Sequence, residues 1–186
     1  MQNRPSHPLN QKARLVTQIP GPKSQAIRAR EDAHLAPGLQ GFALMAGIVV
    51  EKAEGSAVTD VDGNTMIDII GGIGVNGLGH SHPTVVQAIK TQVERASVGS
   101  FTSEARVELL ERIAKNRPAP AVHRTQLYSS GAEAVESALR LAKCHTGKYE
   151  FVSFWGGFHG KTQGALSLMG SDFKDKLGPM VSGSHI

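Results

Sequence analysis

The chain has 186 residues, 40% hydrophobic and 19% charged, with 20 Lys and Arg against 16 Asp and Glu. That apolar content excludes a disordered chain. The lone Cys144 excludes a disulfide scaffold, and no apolar run reaches the roughly 18 residues of a membrane-spanning helix. The net charge of +4 does not mark a nucleic-acid binder: residues 1–30 hold six basic and no acidic side chains, leaving 14 basic against 16 acidic in the body.

Residues 1–23, broken by Pro5, Pro8, Pro20 and Pro22, read as a solvated N-terminal arm. Ser24 is placed to cap a helix through Ala36, stopped by Pro37-Gly38. Three β-rich runs follow at 48–53, 57–61 and 65–70, and Asp62-Gly63-Asn64 between the last two is a hairpin signal, so 48–70 is expected to be an antiparallel meander. The period then changes. Ser81-His82-Pro83 opens a helix with Val86, Ile89 and Val93 on one face, and Ser103 opens another with Val107, Leu110 and Ala114 inward until Pro118. Arg124–Tyr128 is a strand candidate, Ser130 to His145 a helix with Val135, Leu139 and Ala142 on its stripe, and Glu150–Phe154 a second strand before a Gly156-Gly157 turn. Strand, helix and strand predict a βαβ unit and an α/β fold.

Three stretches and one scattered set of side chains are candidates for chemistry. Gly72-Ile73-Gly74-Val75-Asn76-Gly77 satisfies G-x-G-x-x-G, but Gly79 and Pro83 oppose the helix that a dinucleotide site needs there, so it reads as a tightly bending loop able to line a pocket. His80, His82 and His159 lack metal-ligand spacing, and Cys144 falls in a helical pattern as a buried thiol, so no metal site is expected. Ser130 and Glu133 form a capping box. That alone accounts for both residues, while the small Gly131-Ala132 pair beside them leaves first-turn amides open to a phosphate. Gly156-Gly157-Phe158-His159-Gly160-Lys161-Thr162 is either a tight turn with a core Phe and a surface His, or a loop whose exposed ring stacks on a planar ligand. Together the last two suggest one flat, phosphate-bearing ligand, the shape of pyridoxal 5′-phosphate.

From about Pro20 onward the chain resembles the N-terminal part of the class III (omega) aminotransferases, the fold-type I pyridoxal-phosphate enzymes that include 4-aminobutyrate, ornithine and acetylornithine aminotransferases. The resemblance rests on Asp60-Val61-Asp62-Gly63-Asn64 with Ile67-Asp68, on Gly77-Leu78-Gly79-His80-Ser81-His82-Pro83, on Ser130-Gly131-Ala132-Glu133-Ala134-Val135-Glu136 and on Phe158-His159-Gly160-Lys161-Thr162. It implies that Ser130, Gly131 and Ala132 hold the cofactor phosphate, that Phe158 stacks on the pyridine with His159 beside it, and that Lys161 and Val75 face the substrate. Many 4-aminobutyrate-type relatives carry Arg where this chain has Lys161, and lysine lacks the bidentate fork for a carboxylate.

The same resemblance implies an arm and small-domain part over 1–75, then the first part of a large mixed-sheet domain over 76–186. Family members are more than twice this long. The lysine that binds the cofactor covalently and the Asp facing its pyridinium nitrogen are expected beyond Ile186, since neither Lys143 nor Lys161 matches the family position. No catalytic residue is therefore assigned, and the chain is expected to be an inactive fragment of a cytoplasmic homodimer that transfers an amino group from an omega-amine or amino-acid donor to a 2-oxo acid. A decarboxylase or racemase of the same fold, or a non-catalytic truncated paralogue binding an intact subunit, are the alternatives.

Overall fold

Residues 12–38, 41–96 and 99–186 are described by the structure, a computed structural model. The first eleven residues of the expected arm lie outside them. The chain divides into two compact units, residues 1–99 and residues 100–186.

The first unit is built on the expected meander. Strands β1 (Val50–Glu54), β2 (Ala57–Asp60) and β3 (Thr65–Ile67) run antiparallel in that order, with a bulge where Val50 pairs Asp60 and Lys52 pairs Thr59. Fully buried polar side chains hold the β2–β3 turn. Asp60 Oδ1 accepts from the Asp62 amide at 3.0 Å and the Asn64 amide at 2.8 Å, and Asp60 Oδ2 accepts from Asn64 Nδ2 at 2.8 Å. Asn64 Oδ1 in turn accepts from the Val16 and Thr17 amides at 2.8 and 2.9 Å. Arg14 exchanges two backbone bonds with Thr65. The described end of the arm therefore lies on the chain's own meander.

Helix α1 (Pro22–Asp32) starts earlier and ends earlier than its expected span from Ser24 to Ala36. Ser24 is not its cap but a buried residue inside it. Pro22 fits the first turn because its missing amide is one that the helix leaves unpaired. The amides of Lys23 and Ser24 instead donate to the two carboxylate oxygens of Asp62 at 2.8 and 2.9 Å. A short helix α2 (Gly41–Ala46), not anticipated, precedes β1.

β3 stops at Ile67 rather than Ile70 because Asp68 turns the chain. Its Oδ1 accepts from the Ile70 and Gly71 amides at 2.9 and 2.8 Å, and its Oδ2 lies 2.7 Å from His80 Nε2. The bond from the Gly71 amide, then those from His80 and the Ile70 amide, hold this carboxyl below its ordinary range. The turn α3 (Gly71–Gly74) is a bend, since Gly72 and Ile73 sit at φ 64° and 67°, the left-handed region that rules out a continuing helix. Gly55 and His80 exchange backbone bonds. These bonds tie residues past the expected 75/76 domain boundary to the meander. Helix α4 (Pro83–Arg95) follows as expected, with His82 at its N-cap, Val86 half-buried, and Ile89 and Val93 exposed.

The second unit contains α5 (Glu104–Lys115), α6 (Gly131–Thr146), β4 (Phe151–Val152), α7 (Gln163–Ser167), a 3-10 turn (Asp172–Lys174) and β5 (Ser184–His185). Ser103 caps α5 by accepting from the Arg106 amide, and Leu110 and Ala114 are half-buried, whereas Val107 is exposed. Arg124–Tyr128 is not a strand: these residues are exposed and no described segment lies alongside to form a ladder. The expected βαβ unit is accordingly not formed, and β4 pairs in parallel with β5 instead. α6 matches its expected span, with Val135, Leu139 and Ala142 half-buried; Cys144, expected to be buried, is exposed on it. The apolar core is Ala165, Leu166, Leu168 and Met169, contributed by α7 and the turn after it. Ser153, buried beside it, donates to the Leu168 carbonyl at 2.6 Å.

Replacing Asn64 tests the polar core of the first unit. N64A leaves two amides and two acceptors without their partner, an expected loss of about 2–4 kcal/mol. Urea unfolding followed by far-ultraviolet circular dichroism should show a lower midpoint, and an unchanged midpoint would remove Asn64 from this role.

Candidate functional site

The site is assembled on the first turn of α6. Ser130 Oγ accepts from the Glu133 amide at 3.2 Å, while Glu133 Oε2 accepts from the Ser129 and Ser130 amides at 2.8 and 3.1 Å. This completes the capping box. It takes the third amide of the helix and leaves those of Gly131 and Ala132 directed at the space before the helix, where the dipole favours an anion. That space is open at Gly131, because a Cβ built there would meet nothing within 4 Å. A phosphate group fits such a cradle.

The loop after β4 reaches this turn. Gly160 is buried, at φ 130°, and a Cβ on it would lie 2.7 Å from the Cβ of Ala132, so only glycine allows the approach. One helical turn beyond Ala132, on the same face, Glu136 Oε1 accepts from Thr162 Oγ1 at 2.6 Å and from the amides of Gly164 and Ala165 at 2.9 and 3.1 Å. The Thr162 bond, against opposing burial, and the Ala165 and Gly164 amides hold its carboxyl below its ordinary value.

Phe158 is 64% exposed, with its ring edge-on to that of Phe173 at 5.9 Å and 78°. The Lys161 ammonium lies 5.1 Å from the Phe173 ring centre, a cation–π distance. The His159 ring folds back on its own loop, close enough that a Cβ on Gly157 would lie 2.9 Å from Nε2. Lys143 sits over Phe151, 5.6 Å from its ring centre.

Ser130, Gly131, Ala132, Phe158, His159 and Lys161 thus fall in one unit, and the Gly160–Ala132 contact joins their two stretches. Val75 belongs to the first unit, where it is 81% exposed just after the glycine bend. Two residues of the arrangement carried no assignment from sequence. Phe173 had no motif around it. Glu136 stood inside the quoted motif, and its one-turn spacing from Ala132 was the available signal.

Residues 42–186 match the family described as aminotransferase class III. The 4-aminobutyrate aminotransferase of Mycobacterium tuberculosis is 39% identical over 178 residues, covering 93% of this chain and 39% of that protein. The acetylornithine aminotransferase of Methanopyrus kandleri is 40% identical over 137 residues, covering 72% and 35%. An (S)-enantioselective omega-transaminase from Thermomicrobium roseum superposes with a TM-score of 0.75 at 28% identity, over 86% of this chain and 38% of that one. The chain thus spans about two fifths of the length of the curated relatives it matches across 93% of its own.

Two outcomes follow from the geometry alone. S130A removes half of the capping box and is expected to destabilise α6 by about 1 kcal/mol, read from the urea midpoint; no change would mean that the cap is dispensable. Glu136 has its carboxyl lowered in the folded state, so its contribution is complete above the ordinary value of 4.5 and is lost as pH falls through the lower folded value. The second unit should therefore weaken below that range, and the acid slope should be shallower in E136Q. Equal slopes would contradict the assignment.

Proposed function

This chain belongs to the class III aminotransferase family, and from that premise we propose that the whole protein transfers an amino group from an omega-amine or amino-acid donor to a 2-oxo acid. The fold is that of the fold-type I transferases, of which the chain carries an incomplete part. The family's cofactor is pyridoxal 5′-phosphate, which supplies the electron sink of the reaction when bound. The observation that carries the reading is the packing of Gly160 on Ala132, which brings an exposed aromatic ring and a phosphate cradle into one unit.

In this reading the amides of Gly131 and Ala132, with Ser130 beside them, hold the phosphate. Phe158 covers the flat face of the cofactor ring, and Phe173 sets its angle. His159 stands next to it. Lys161 supplies one positive charge for a donor carboxylate, and its point-like ammonium grips that group less selectively than a guanidinium would. The names of the relatives favour 4-aminobutyrate as donor. A homodimer working in the cytoplasm, with residues 76–186 as the first part of its large domain, completes the proposal.

The single tryptophan of the chain, Trp155, lies three residues before Phe158 and serves as the reporter. Titration with pyridoxal 5′-phosphate is expected to quench its fluorescence saturably, with affinity at least about tenfold above that of pyridoxal, the worth of one charge-assisted hydrogen bond. Equal affinities would show that the phosphate is not what the site holds.

A further inference from the structure

We propose that Glu136 is a positioning residue of the cofactor site, a clamp that fixes the Phe158–Lys161 loop over the phosphate end of α6; this rests on the cofactor reading above. The capping box uses Ser130 and Glu133 and leaves the second glutamate of the motif without a task. The structure gives it one. α7 is five residues long, and its N-cap residue Thr162 makes no side-chain bond to the helix's own amides. Glu136 reaches across from α6 and caps it instead, taking the amides of Gly164 and Ala165 together with the Thr162 hydroxyl.

Three attachments then define where the loop lies. At its start Ser153 is bonded to the Leu168 carbonyl. In its middle Gly160 touches Ala132, and at its end Thr162 and the first turn of α7 are held by Glu136. Ala132 and Glu136 are neighbours on one face of α6, so the helix that offers the phosphate amides also sets the position of the stacking ring. Gly164 suits the fit, since a Cβ there would fall on Glu136 Oε2 and displace the carboxylate from its present place. An ionised acceptor is favoured at this place because hydrogen bonds to a charged group are about twice as strong as neutral ones. Glu136 touches no reacting atom in this account; it acts through the loop.

The test compares wild type, E136L, E136Q and T162V by amide hydrogen exchange without ligand, and by Trp155 quenching with pyridoxal 5′-phosphate and with inorganic phosphate as competitor. In E136L the Gly164 and Ala165 amides are expected to exchange at least about tenfold faster. Affinity for pyridoxal 5′-phosphate is expected to fall about tenfold while that for inorganic phosphate, which needs only the α6 amides, stays at the wild-type value. E136Q, which keeps the acceptor oxygen, and T162V, which loses one bond of three, should fall between. Wild-type exchange at Gly164 and Ala165 in E136L would overturn the clamp. Equal weakening of cofactor and phosphate would mark a general loss of structure and overturn the positioning role, as would unchanged cofactor affinity. Absence of quenching in wild type would overturn the cofactor reading and this role with it, whereas quenching that persists unaltered in E136L overturns the role alone.

Discussion

Glycine at position 160 lets the loop after β4 lie directly on Ala132, and the rest of the candidate site depends on that approach. With a Cβ in the way the loop would have to lift, and the exposed Phe158 ring would part from the first turn of α6. The contact is small and apolar, so by itself it fixes distance but not direction. Direction comes from polar groups around it, the capping box that orients the α6 turn and the Glu136 carboxylate that takes three donors, with the Phe173 ring edge-on to Phe158. Apolar closeness and polar alignment divide the work between them.

The first unit uses the same economy of carboxylates and amides. Its fully buried side chains are mainly polar, with Ser24, Asp60 and Asn64 filling the place of a larger hydrophobic core. Ser24 and Asn64 gather backbone donors from distant parts of the chain, while Asp60 gathers those of its own turn. Asp62 receives the start of α1 from 38 residues away, and Asn64 receives Val16 and Thr17. Asp68 turns the chain out of β3 and grips His80, which closes the glycine bend from both sides. Buried polar groups are costly unless satisfied, and here nearly every such carboxylate and amide is matched to several partners. The motif residues Asp60, Asp62, Asn64 and Asp68 therefore serve loop architecture.

Helices with a clean period and a local cap were legible from sequence. Pro83, Ser103 and Ser130 each announced a start, and α4, α5 and α6 began where those residues placed them. The meander was legible from its turn residues, and the capped first turn of α6 and the exposed ring of the loop after β4 from their small residues and rings. Structure decided elsewhere by long-range partners was not legible. Ser24 resembled a cap, but the capping group came from Asp62. Residues 124–128 have strand composition and no ladder partner among the described residues. α7 is shorter than the window in which a helical period can be seen, yet α7 and the turn after it supply the apolar core of the second unit. Phe173 enters the site only through the fold.

The central claim is that the amides of Gly131 and Ala132 bind the phosphate of a cofactor whose ring lies against Phe158. Two-dimensional 1H–15N spectroscopy of the labelled chain during addition of pyridoxal 5′-phosphate tests it most directly. The account predicts saturable shifts centred on the Gly131 and Ala132 amides, with smaller ones through residues 156–161. Shifts confined to other parts of the chain, or none at saturating cofactor, would contradict it.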